Sequence, residues 1–206
     1  MRENLGDSGG DSTSARIAAE AARLIVESGL EYGPAKQKAL RALGLRRGEM
    51  PSNEQVEDEV REHIALFCAE TQPAELAALR AVALDWMERL AEFRPHLTGA
   101  AWRGTATRQS AVHIDLYCDD AKQAEIALLN LGVDHDIDTL DGGSDRAVDV
   151  LTVSSPSSAL GEPVTVHLFV RDYDDLRGAL KPDSRGRSWR GDRAALLALT
   201  NETPST

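Results

Sequence analysis

The spacing of apolar residues changes near Pro95. Before it, apolar positions recur every three or four residues, the rhythm of a helix with one buried face. "SARIAAEAARLIVESG" (14–29) puts Ile17, Ala21, Leu24 and Ile25 on one face and stops at Gly29. "GPAKQKALRALG" (33–44) has Pro34 near its first helical position and stops at Gly44. A third helix is predicted to open at Ser52, with Gln55 three residues on as a capping box, and to carry Val56, Val60, Ile64, Phe67 and Cys68 inward. The fourth, "AELAALRAVALDWMERLAEF", follows Pro73 and ends before Arg94-Pro95.

After Pro95 the period shortens to two. "AVHIDLYC" (111–118) alternates as a strand does, and "HLTGAAW" (96–102) suits a short strand. "DAKQAEIALLNLG" reads as a helix capped by Asp120 and stopped at Gly132. "VDHDIDTL", "AVDVLTV" and "PVTVHLFVRD" predict three more strands, and "YDDLRGALK" and "RAALLALT" two short helices. The expected fold class is α+β, an N-terminal helical bundle followed by a core with a mixed β-sheet flanked by helices. Composition sets the expected boundaries: a Gly, Ser and Asp-rich disordered tail over 1–12, a helical region over 13–72, the core over 73–200 and a tail over 201–206.

Charge narrows the partners. The 206 residues carry a formal net charge of -11, which argues against broad non-specific binding to nucleic acid or anionic membrane. No apolar run approaches the roughly 20 residues of a membrane span, and "MRENLGDSGGDSTS" is neither a signal nor a transit peptide. Cys68 and Cys118 are expected as reduced core thiols, without the paired spacing of a zinc site. A cytoplasmic location is the expectation. Neither a G-x-S-x-G elbow nor a P-loop is present.

The candidate chemistry lies in "TGAAWRGTATRQSAVHIDLYCDD" (98–120). A helix, a short strand ending in glycine, then a strand with spaced polar residues resembles the nucleotidyltransferase superfamily of DNA polymerase beta and the minimal nucleotidyltransferases. Gly99 matches the glycine of the Gly-Ser pair, Ala100 stands at the serine, Arg103-Gly104 match Arg-Gly, and Ser110 matches the later serine. Without a gap, the two acids of the pattern fall on Ala111 and His113, and the third, on "VTVHLFVRD", falls on Thr165. The resemblance covers roughly residues 74–180. It implies a nucleotidyltransferase-like core and a nucleotide or phosphorylated ligand, with Gly99, Arg103, Gly104, Ser110, Thr165 and His167 around it. It also implies a divalent metal, yet alanine and threonine cannot replace carboxylates as Mg²⁺ ligands.

A shift by two residues leaves His113-x-Asp115 in place of the acid pair. Both side chains then share a strand face, as do Thr165 and His167 on the later strand. If the strands are neighbours, His113, Asp115 and His167 form a set of two histidines and one carboxylate, which suits a transition metal better than Mg²⁺. The plainer reading is partly exposed sheet histidines, with Asp115 solvated or bonded to Arg103.

Other clusters carry weaker signals. Arg185, Arg187, Arg190 and Arg193 surround Trp189 and suit either a phosphate clamp or a loop pairing with the acidic body. Tyr173, Asp174 and Asp175 suit a pocket wall or a helix cap, and Asp134, Asp136 and Asp138 a charged edge strand. Lys36, Lys38, Arg41, Arg46 and Arg47 make a basic patch, but the next helix is acidic, so packing or a protein partner is expected there rather than DNA. Three functions stay open: a degenerate nucleotidyltransferase that binds a nucleotide or phosphorylated ligand or regulates; an active one using His113 and Asp115; and a helical adaptor. For the first, Arg103 is expected to hold an anion without metal, against the alternative of an ion pair to Asp115 or Asp119.

Overall fold

The computed structural model describes residues 8–45, 49–141, 147–177, 181–183 and 185–202. The chain divides into two compact units, Met1–Pro73 and Ala74–Thr206. In the first unit, helices α1 (Ser8–Ser28), α2 (Tyr32–Ala42) and α3 (Asn53–Phe67) enclose a core of Ile17, Ala21, Leu24, Ala35, Ala39, Val56, Val60 and Ile64. The helical spacing of these positions is the reason they meet. Ser52 caps α3 through the reciprocal capping box with Gln55. Lys36 donates from Nζ to the Pro51 carbonyl and to Asn53 Oδ1, so it ties α2 to the start of α3. Arg46 and Arg47 lie outside the described residues, as do residues 1–7 and 203–206 of the two expected tails. Residues 8–12 already belong to α1.

In the second unit, α4 (Gln72–Arg89) packs beneath a six-stranded sheet. The strands are β1 (His96–Thr98), β2 (Val112–Cys118), β3 (His135–Asp141), β4 (Ala147–Ser155), β5 (Val164–Asp172) and β6 (Arg190–Gly191). Their order is β3-β4-β5-β2-β1-β6, with β2 and β5 parallel and every other pair antiparallel. Helix α5 (Gly99–Arg103) joins β1 to β2, α6 (Ala121–Asn130) follows β2, and α7 (Arg193–Glu202) ends the described chain. Asp120 caps α6 by accepting from the Lys122 N–H. The architecture is therefore α+β with a mixed sheet.

Two elements differ from the sequence pattern. The strand expected over 96–102 stops at Thr98, because Gly99 takes φ +64 and turns the chain into α5. The helix expected over "YDDLRGALK" is a 3-10 turn at Tyr173–Leu176, capped by Asp172 rather than by Asp174 or Asp175; residues 178–180 lie outside the described residues.

Each strand's alternation sorts its side chains between two faces. Val112, Ile114, Leu116 and Cys118 of β2 join Val164, Val166, Leu168 and Val170 of β5 and Leu151 and Val153 of β4. This apolar face packs on Leu79, Ala83, Trp86 and Met87 of α4 and on Ala124 and Leu128 of α6. The remaining positions face the other side, and they carry the candidate site.

Candidate functional site

On that second face the pairing of β2 with β5 sets His113 beside His167, Asp115 beside Phe169 and Tyr117 beside Arg171. Strand β1 adds Thr98 beside His113 and His96 beside Asp115, and β6 adds Arg190 beside Thr98. The parallel register thus brings together residues more than 50 positions apart in the chain.

Asp115 is the centre of this face and is only 1% exposed. Its Oδ1 accepts from Arg171 Nε at 2.7 Å, and its Oδ2 from Arg190 Nη1 at 2.5 Å. Arg190 Nη1 also donates to the Tyr117 hydroxyl at 2.7 Å. A buried carboxylate must be paired to persist, and here both oxygens are committed. Two guanidinium groups face one carboxylate, so the cluster keeps one positive charge in excess. Burial first, and the Asp115 charge second, push the Tyr117 phenol up against the opposing pull of Arg190.

Arg190 is delivered by a strap fixed at several points. Trp102 of α5 donates from Nε1 to the Ser188 carbonyl at 3.0 Å. Its ring lies so close over Gly191 that a methyl group there would come within 2.1 Å of it. Arg103 donates to Asp183 Oδ2 at 3.3 Å and stacks over Trp189, with its carbon 4.5 Å from the ring centroid. Its side chain is 6% exposed, and its partner is neither Asp115 nor Asp119. Asp183 also accepts from the Arg185 and Arg187 N–H groups and from Arg187 Nε. Burial pushes this carboxyl up, but those backbone and side-chain bonds win and hold it at about 2.

The two histidines meet with ring centroids 5.4 Å apart, and Phe169 lies 5.4 Å from His113. Thr152 Oγ1 sits 2.9 Å from His167 Nδ1. Burial lowers the His113 pKa, opposed by the Asp115 charge, so the ring is neutral at pH 7. Gly99 packs on this ring: a Cβ there would lie 3.2 Å from His113 Nδ1. The trio of His113, Asp115 and His167 shares one face, yet no group of three or more His, Cys, Asp or Glu among the described residues is disposed to hold a metal. The divalent ions that the resemblance implies do not fit either. Ala111 and Thr165 offer no carboxylate, and Asp115 has both oxygens on arginines.

The remaining expected site residues are structural in their contacts. Gly104 ends α5 at φ +80, Ser110 Oγ accepts from the Thr107 N–H at 3.0 Å, and Thr165 is exposed on β5 opposite Ser154. Cys118 is a buried free thiol whose pKa is raised by burial, and Cys68 is half-buried and also free. Three residues escaped the sequence reading: Arg171, Tyr117 and the buried Arg80, which donates from Nε to the Ala101 carbonyl at 3.0 Å. The first two stand at alternating positions of strands already recognised, a signal that could have found them; Arg80 had none, since it looks like a surface residue of a helix.

No family model matches the chain, and no curated protein sequence matches it. Solved structures do. Cid1 in complex with the UTP analogue UMPNPP is similar at 16% identity and a TM-score of 0.36, over 54% of this chain and 37% of that one. A cytoplasmic RNA terminal U-transferase is similar at 18% identity and a TM-score of 0.35, over 53% and 36%. Cid1 with its short product ApU gives 17%, 0.36, 56% and 38%. Cid1 is described as a poly(U) polymerase in a further similar structure bound to MgATP. The chain spans 36% to 38% of these neighbours' length.

Proposed function

We propose that this chain is a nucleotidyltransferase-fold protein without two-metal chemistry, which binds a nucleotide or another phosphorylated ligand on its polar sheet face. The observation that carries this reading is the pairing of Asp115 with two arginines. In the register shifted by two, Asp115 stands at the second acid of the family pattern, where the resemblance implies a metal ligand. Here guanidinium groups occupy both oxygens, and the trio of Asp115, Arg171 and Arg190 carries one positive charge in excess. Arg171 and Arg190 keep part of their surface open, with side chains 30% and 23% exposed. A guanidinium can meet a phosphate with two parallel N–H bonds and needs no metal between. Nucleotidyl transfer asks for metal ions bridging the triphosphate and the attacking hydroxyl, so this geometry favours binding over turnover. The role first expected of Arg103 passes to Arg171 and Arg190, since Arg103 is buried against Asp183 and Trp189.

The test is calorimetric titration with ATP and with UTP, with Mg²⁺ and with a chelator, on the wild type and Arg171→Ala. Binding is expected to survive chelation and to weaken in the variant by about 1.5–3 kcal/mol, the size of a charged hydrogen bond. Affinity that vanishes with chelator, or that is equal in both proteins, refutes the reading. Mg²⁺-dependent transfer of a labelled α-phosphate, abolished in Asp115→Ala, favours the active enzyme instead.

A further inference from the structure

A cavity of about 410 Å³ opens elsewhere in the second unit, where the end of α4 and the start of α7 come together around β1. That volume falls in the range of small-molecule pockets, roughly 300–1,000 Å³. Its walls are mostly apolar, with Met87, Pro95 and Leu176 among them. Two polar groups at the start of β1 interrupt them, as do Asp192 and Arg193 at the start of α7. His96 is only 6% exposed, and its ring stands edge-on to Tyr117 with centroids 5.4 Å apart. Because the Arg94 carbonyl 2.8 Å from His96 Nδ1 can only accept, Nδ1 carries the proton of that bond. Arg94 is the other group. It has φ +48, the only positive φ outside glycine among the described residues. A left-handed arginine persists only where its surroundings over-determine it, and such residues gather at ligand sites. The bond from His96 holds this backbone, and the Arg94 guanidinium lies 4.7 Å over the Tyr173 ring. Of the neighbouring charges, Arg193 pairs with Glu88 at 2.7 Å, and the exposed Asp192 carboxylate accepts from the Ala195 N–H at the start of α7. Arg94 has no carboxylate partner among the described residues.

We infer that this cavity binds a small organic anion with a flat apolar body, of the aryl carboxylate class. The carboxylate meets Arg94, whose planar fork matches it, and the ring lies against Met87, Pro95 and Leu176. An uncharged aromatic would leave the guanidinium unmatched, and a small inorganic anion would leave the apolar walls wet. His96 borders the Asp115 cluster through Tyr117, but the anion-binding group is Arg94, which makes no contact with Asp115, Arg171 or Arg190 among the described residues, so Arg94→Asn and Arg171→Ala test the two readings separately.

The experiment titrates full-length protein with 2-naphthoate and with the uncharged 2-naphthamide, read by calorimetry and by amide shifts in nitrogen-15 spectra. Saturable one-to-one binding of the acid is expected, with shifts at Met87, His96 and Leu176 and an affinity at least about tenfold above the amide. Arg94→Asn, which keeps a residue tolerant of the left-handed backbone, should remove that preference. Ala194→Trp, on the exposed cavity wall, should fill the space and abolish binding of both probes. Unchanged melting temperatures will show that both variants are folded. Equal affinity for acid and amide, affinity untouched by Ala194→Trp, or no saturation into the millimolar range overturns the inference.

Discussion

The two faces of β2 show how one seven-residue strand serves two ends. Val112, Ile114, Leu116 and Cys118 point to one side, are all buried, and meet apolar partners from two helices and two strands. His113, Asp115 and Tyr117 point to the other, and each depends on a specific partner. Apolar burial is non-directional, so any helix with the right stripe can cover the first face. The second face is built from hydrogen bonds and charges, which fail if a single partner is misplaced. Its partners come from far along the chain: Arg171 lies 56 residues from Asp115, and Arg190 lies 75. The core side of this protein is therefore tolerant in detail, and the polar side exacting.

The largest expected effect tests the tolerant face. Leu168 is fully buried at its centre, directly beside Ile114. Leu168→Ala should cost about 3 kcal/mol through lost transfer energy and a residual cavity, measured by urea unfolding. A cost below about 1 kcal/mol would mean that the sheet does not rest on this face.

Next comes the exacting face. Asp115→Ala strands two guanidinium groups, and since both are partly exposed the loss should be about 1–3 kcal/mol rather than the full cost of a buried charge. In a background of Arg171→Ala the same substitution should cost less by about 1 kcal/mol, the coupling of a shared network. Strictly additive losses in that cycle would show that the ion pairs contribute nothing as a group.

The smallest effects are in pH. Asp183 is held at about 2, below its ordinary 3.8. Its folded pKa is depressed, so its contribution to stability is complete above about pH 4 and is lost as pH falls from there towards 2. Asp183→Asn should flatten the acid limb of a melting-temperature profile in that window; an unchanged limb would detach the strap from the acid response. His113 runs the same way at higher pH. Its folded pKa lies below the ordinary 6.5, so as pH drops through 6.5 the unfolded chain takes up a proton that the folded one refuses, and stability declines. His113→Gln should remove that decline, leaving the region near pH 6 flatter than in wild type.

The sequence by itself determined the periodic elements. The capping box at Ser52, the cap at Asp120 and the alternation of "AVHIDLYC" and "PVTVHLFVRD" each state a local preference, and the chain obeys them. Only the tertiary structure decided which cation met which anion. Arg103 and Arg190 were equal candidates as letters; one is sealed against Asp183 by the Trp189 ring, and the other reaches Asp115 because β6 pairs with β1 and Trp102 closes over Gly191. Periodicity is set by the geometry of neighbouring residues, so it is written in order along the chain. A long-range ion pair is set by strand order and register, and a one-residue slip of either strand would have turned the same side chains to the opposite face.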